Sequence, residues 1–211
     1  MSPAPRTTSL SAAGPAGALE VMVDEPVVTG AIRHAALVCH PHPLFGGNMT
    51  NKVTHILARA CNELGAPTVR FNFRGVGQSA GAHDDGRGET DDAVAMIDWT
   101  SQRWPEAQIW LLGFSFGAAM ALRASLLRPV TRLITVAPAL RWLEQSAERT
   151  PTCPWLIVQG DRDDMVDAQA VQAWAHGLAQ PPEIKLLQGA EHFFHGRLND
   201  VRDAVIDWLR P

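Results

Sequence analysis

Short apolar runs alternate with longer stretches of helical periodicity along almost the whole chain. That alternation constrains the fold more than any other feature. "HAALVCH" (34–40), "TVRFNF" (68–73), "QIWLLGF" (108–114), "RLITVAP" (132–138), "PWLIVQG" (154–160) and "EIKLLQG" (183–189) have strand length, and most are nearly continuous in Val, Ile and Leu. A strand apolar on both sides must be covered on both sides, as in a mostly parallel sheet between helices. "ALEVMVDEP" (18–26) alternates and reads as an early strand.

Helices are expected between these strands. One runs from Asn48 to about Leu64, with Val53, Ile56, Leu57, Ala60 and Leu64 on one face. Thr90 is placed as the cap of the next, with Asp91 and Asp92 in its first turn and Val94, Ile97 and Trp104 on its buried stripe. "FGAAMALRASLL" (116–127) and "DAQAVQAWAHGLA" (167–179) follow, and a last helix runs from about Phe194 to Leu209. The fold class is α/β. Residues 1–18 form a flexible leader or a first edge strand, and 19–211 form one domain.

Composition narrows the function. The net charge of −4 argues against nucleic acid or an anionic membrane as a partner, because both require a basic footprint. No stretch approaches the roughly 20 apolar residues that span a membrane. "MSPAPRTTSLSAAGPAG" lacks the apolar core of a secretory signal. Cys39, Cys61 and Cys153 are odd in number and lie outside any C-x-x-C, which suggests reduced thiols and a cytoplasmic location.

In an open α/β sheet the reactive groups gather in the loops at the carboxyl ends of the strands. G-x-S-x-G occurs there twice, around Ser79 and around Ser115. The motif requires a strand, a sharp turn and a helix, so that the serine hydroxyl stands clear of the backbone. Ser115 lies between "IWLLG" and "AAMALRASLL"; Ser79 is followed by "AHDDGRG", which cannot form a helix and marks it as a turn serine. A serine nucleophile requires a base, and the base an orienting acid. His192 directly follows the last strand and is favoured over His195, which falls in the next helix; His176 lies within a helix. Asp161, Asp163 and Asp164 all follow "PWLIVQG", and composition does not choose between them.

"HPHPLFGGNM", "FNFRGVGQSAG", "DDGRGE", "GFSFGA", "GDRDDMV" and "GAEHFF" follow one another in the order found in the α/β-hydrolase superfamily. From about Leu19 onward the chain resembles the small bacterial serine hydrolases related to dienelactone hydrolases and carboxylesterases. The resemblance implies the α/β-hydrolase fold, with a mostly parallel sheet of about seven or eight strands, helices on both faces and no cap. It implies Asp163 as the acid, through the family's Gly-x-x-Asp-x-x-Val pattern closed by Val166, and His192 as the base. Dienelactone hydrolases proper carry cysteine where this chain has Ser115, which points to ordinary ester chemistry.

The resemblance also assigns the turn His40-Pro41-His42 to half of an oxyanion hole. Pro41 and Pro43 have no N–H, so the backbone of His42 is the expected donor, with Leu44 as the alternative and Phe116 as the second donor. A metal held by His40 and His42 with His55, Asp84 or Asp85 is the rival reading of that turn. It is disfavoured because proline after each histidine strains the chelate. No metal or cofactor is expected.

"ALRWLEQSAERTPTC" (139–153), where a cap would insert, is too short for one, though Leu140 and Trp142 could line the site. An open site suits small acyl groups, with Leu44, Phe45 and Phe193 as apolar contacts. The expected activity is hydrolysis of small carboxylic esters. A thioesterase, lactonase or peptidase of the same fold, or a non-catalytic binding protein, are the alternatives. The expected partner is a small-molecule ester, and a homodimer is compatible with the exposed edges of the sheet.

Overall fold

The computed structural model describes residues 6–26, 31–143 and 149–210. Its strands are β1 (Arg6–Gly14), β2 (Gly17–Glu25), β3 (His34–Cys39), β4 (Thr68–Phe71), β5 (Gln108–Phe114), β6 (Arg132–Val136), β7 (Trp155–Gly160) and β8 (Glu183–Leu187). Its helices are α1 (Lys52–Glu63), α2 (Arg87–Arg103), α3 (Phe116–Ser125), α4 (Ala168–His176) and α5 (Leu198–Leu209). The strands form a single eight-stranded sheet in the order β1-β2-β4-β3-β5-β6-β7-β8. β1 and β2 pair antiparallel, as do β2 and β4; β4, β3 and β5 to β8 run parallel.

Successive residues of the central strands enter opposite cores. Leu37, Cys39, Leu111, Leu133 and Ile157 pack with α2, α3 and α4. Ala36, Val38, Leu112, Ile134, Leu156 and Val158 pack with α1 and α5. This two-sided burial is what the near-continuous apolar runs require. Arg6–Gly14 is the edge strand of the sheet; residues 1–5 lie outside the described residues. The three cysteines are unpaired, two of them buried.

Three helix starts differ from expectation. α1 begins at Lys52, because the Asn51 side chain accepts the N–H groups of Val53 and Thr54 and caps the helix there. α2 begins at Arg87, so Thr90 is not its cap. The Glu89 carboxylate reaches back to the N–H groups of Gly86 and Asp84, and the Thr90 hydroxyl donates to Gly86 O from within the helix. Asp92 is fully buried and paired with Arg74, so a tertiary ion pair rather than the helix dipole sets its place. Ile97 is buried as expected, whereas Val94 and Trp104 are half-buried and Ala93, Met96 and Thr100 complete the stripe. α5 begins only at Leu198, because Phe194 and Gly196 take left-handed φ values of 55° and 70° and cannot be helical. His195 is therefore in a loop, exposed, and hydrogen-bonded to Glu191.

Candidate active site

β5 delivers Ser115 to the carboxyl edge of the sheet, and the backbone then turns at once into α3. Ser115 has φ 54° and ψ −115°, a strained conformation for a residue with a side chain. The turn is held by the Ser115 N–H, which donates to Val136 O over 2.8 Å. The two flanking glycines are required by contact. A Cβ on Gly113 would fall 2.2 Å from Gly117 O, and one on Gly117 would fall 2.3 Å from His40 O. The motif thus packs the start of α3 directly on the end of β3.

The loop after β8 brings His192 to Ser115. Nε2 of His192 lies 3.1 Å from Ser115 Oγ, and Nδ1 lies 2.8 Å from Asp163 Oδ2. The carboxylate accepts the Nδ1–H, which leaves Nε2 free to accept the serine proton. His192 is almost wholly buried, whereas Ser115 keeps some exposure.

The three aspartates after β7 separate clearly. Asp163 turns inward, with no exposed side-chain surface. Its Oδ1 accepts the N–H groups of Met165 and Val166, and Gln159 Nε2 donates to Oδ2 over 3.0 Å. Burial pushes the carboxyl up, and the hydrogen bonds from His192, Val166 and Met165 outweigh it, so its pKa falls below the ordinary carboxylate value. Asp161 accepts the Gly189 N–H and ties the β7 loop to the β8 loop, and Asp164 is exposed.

The other candidate residues go elsewhere. The Ser79 hydroxyl donates to Asn72 O over 2.6 Å and accepts the Glu20 N–H over 2.9 Å, so it is bound into the turn. His176 is exposed in the last turn of α4. His40 is fully buried; its Nε2 accepts the Phe73 N–H over 3.0 Å and its Nδ1 lies 2.6 Å from Pro41 O. With one nitrogen accepting and the other donating, no lone pair remains for a metal. Burial depresses its pKa to about 4. Of the ligands proposed beside it, His55 is exposed on α1 and Asp84 pairs with Arg87.

The turn that follows is the short 3-10 helix Pro43–Phe45. Leu44 N–H donates to His42 Nδ1 over 3.2 Å, so it is already used. The backbone N–H groups of His42 and of Phe116, in the first turn of α3, have no acceptor among the described residues. The His42 ring packs 4.8 Å from the Phe116 ring, which holds the turn beside the serine elbow.

Leu44 and Phe45 are largely exposed and line a cavity of about 380 Å³, together with His42, His83, Arg141 and Trp142. Phe193 faces a second hollow of about 300 Å³ with Asn48, Lys52 and His195, so the three expected apolar contacts do not share one pocket. Trp142 belongs to a 3-10 turn, Leu140–Trp142, and Leu140 packs on the core instead. Residues 144–148 of that segment lie outside the described residues.

Sequence reasoning missed Gln159 and His83. Gln159 had a signal, an amide within an apolar strand. His83 had none, because only the fold brings its loop against His42.

Comparison with known proteins agrees with this architecture. A protein-family profile described as alpha/beta hydrolase fold matches residues 38–152. A Coxiella burnetii protein described as an alpha-beta serine hydrolase homologue has a structure with TM-score 0.90 and 42% identity, covering 96% of this chain and 97% of that one. A Xanthomonas campestris protein, described as a member of a/b serine hydrolase without lid, gives TM-score 0.90 and 42% identity over 98% of this chain and 96% of that one. An uncharacterized Rickettsia prowazekii protein is 38% identical over 184 residues, 82% of this chain and 77% of its own.

Proposed function

The chain belongs to the α/β hydrolase fold family, and from that premise we propose that it hydrolyses small carboxylic esters through an acyl-enzyme. The observation that carries the reading is the unbroken hydrogen-bonded series Ser115–His192–Asp163 at 3.1 and 2.8 Å. Ser115 attacks the ester carbonyl while His192 Nε2 takes its proton, and Asp163 holds the tautomer and stabilises the imidazolium. The N–H groups of His42 and Phe116 donate to the oxyanion. His192 then protonates the departing alcohol, and water activated by the same imidazole releases the acid.

The free N–H of His42, against the occupied N–H of Leu44, favours His42 as the first oxyanion donor. The prolines on either side limit its backbone motion, and a donor that is fixed in advance stabilises the transition state without reorganising.

A fluorophosphonate that reacts with activated serines, followed by mass mapping, tests the reading. Stoichiometric labelling of Ser115, lost in Ser115→Ala, and turnover of p-nitrophenyl acetate are expected. Labelling at Ser79, or at neither serine, would refute the mechanism.

A further inference from the structure

The cavity beside the His42 turn holds polar groups that this mechanism leaves idle. Two imidazoles face each other there, His42 and His83, with ring centroids 5.1 Å apart. One nitrogen of each faces a neighbouring group of the protein. His42 Nδ1 accepts the Leu44 N–H, so on the neutral ring the proton sits at Nε2. Burial, then the nearby His83 and Arg141, hold that ring below the ordinary imidazole value.

His83 Nδ1 lies 2.8 Å from Oε1 of Glu89, a carboxylate with no exposed surface. The approach is too oblique for a full hydrogen bond. The buried Glu89 charge at that distance outweighs the exposed Asp85 carboxylate 3.6 Å from Nε2, so the neutral ring keeps its proton at Nδ1 and its lone pair on Nε2. Neither Nε2 has a hydrogen-bond partner among the described residues. The cavity therefore offers a donor, His42 Nε2–H, beside an acceptor, His83 Nε2.

The lining carries both signs of charge. Arg141 lines the cavity with its guanidinium 5.2 Å over the Trp142 ring, and Asp85 lines it with Oδ1 3.6 Å from His83 Nε2. With both signs of charge in one lining, charge favours neither an ammonium nor a carboxylate. A neutral hydroxyl suits the pair of imidazoles, since it both donates and accepts. The walls suit a ring: Phe45 and Trp142 stand 4.8 and 5.5 Å from the His42 ring. Aromatic walls receive a further ring edge-to-face or offset, and about 380 Å³ holds one substituted ring.

We propose that this cavity recognises a hydroxyl-bearing aromatic ring on the ester substrate, with His42 Nε2–H donating to the hydroxyl oxygen and His83 Nε2 accepting its hydrogen. The assignment rests on the ester-hydrolase reading and names its substrate class. Glu89 is then a positioning residue, which acts by fixing the proton on His83.

The test compares kcat/KM for the methyl esters of para-hydroxyphenylacetic, para-methoxyphenylacetic and phenylacetic acids. The hydroxyl ester should exceed the unsubstituted ester at least about tenfold. The methoxy ester, which accepts but cannot donate, should lose most of that advantage. In His83→Phe, which keeps a flat ring in place, the ratio of hydroxyl to unsubstituted ester should collapse toward one. His83→Ala repeats the measurement if the first variant does not fold by circular dichroism, and the wild-type ratios stand without either.

Equal kcat/KM for the three esters in the wild type overturns the assignment, and so does a hydroxyl preference that survives in a folded His83 variant. Turnover of none of the three also overturns it. Labelling of Ser115 by the fluorophosphonate then shows whether the hydrolase reading falls with it: a labelled serine leaves that reading standing, and an unlabelled one removes both.

Discussion

Gln159 Nε2 donates to Asp163 Oδ2 over 3.0 Å, from a strand position with no solvent exposure. The same carboxylate oxygen receives His192 Nδ1. Gln159→Leu removes a donor to the ionised carboxylate without touching Ser115 or His192. A carboxylate that loses a donor keeps more of its charge for the His192 Nδ1–H it still accepts, and so favours the protonated form of the base. The acid limb of kcat/KM should therefore move to higher pH, with KM little changed. An acid limb that stays in place, in a variant that still folds, would show that Gln159 only packs.

Asp163 also predicts how stability responds to acid. Its native carboxyl is the stronger acid, so folding favours the ionised form. The stability it contributes is present above the ordinary carboxylate value of about 3.9 and is lost as pH falls through the lower native value. Urea unfolding of wild type and Asp163→Asn should diverge at neutral pH and converge on acidification through that window.

His40 works in a higher pH window. Its native pKa is about 4 against an ordinary 6.5, because burial disfavours the imidazolium. The unfolded chain takes up that proton first, so stability is full above about 6.5 and falls as pH drops toward 4, by on the order of 3 kcal/mol. His40→Asn should flatten the unfolding free energy between those values. It should also lower kcat, since the Phe73 N–H and the Pro41 carbonyl lose their common brace.

Gly117→Ala should disable the site through packing alone. The new methyl would sit 2.3 Å from His40 O and 2.4 Å from Cys39 O, both backbone atoms at the end of β3. Overpacking of this kind costs about 1–3 kcal/mol, and it pushes the start of α3 away from the end of β3 and the His42 turn. Loss of fluorophosphonate labelling, together with a lowered thermal midpoint, is the expected result.

Phe45→Ala should act on substrate and not on the fold. The side chain is 74% exposed, so its removal should change stability by less than about 0.5 kcal/mol. As an apolar wall of the cavity it should hold the substrate in the ground state and the transition state alike. KM for aryl esters should rise while kcat stays near its wild-type value.

The sheet was legible because both faces of each central strand are buried, and two-sided burial leaves its mark directly in composition. Ser115 was legible for a similar reason: strand, tight turn and helix are consecutive in the chain, and "AHDDGRG" after Ser79 fails that local test. Asp163 was not distinguishable from its neighbours by composition. Three acids within four positions differ only in direction: one turns to His192, one ties down Gly189 and one meets solvent. Resemblance to a known family chose between them. The starts of α2 and α5 escaped local reading, because a reach-back by Glu89 and a left-handed Phe194 set them, not the apolar period.

The sequence by itself determined what is local or periodic: the parallel sheet covered on both faces, the serine elbow, and the order of serine, acid and histidine along the chain. Only the tertiary structure decided what depends on distance between remote segments. It joined Asp163 to His192, split Phe193 from Leu44 and Phe45, and brought His83 and its buried Glu89 against the His42 turn. Hydrogen bonds act over about 3 Å. Residues separated by dozens of positions come within that range only once the whole sheet is assembled.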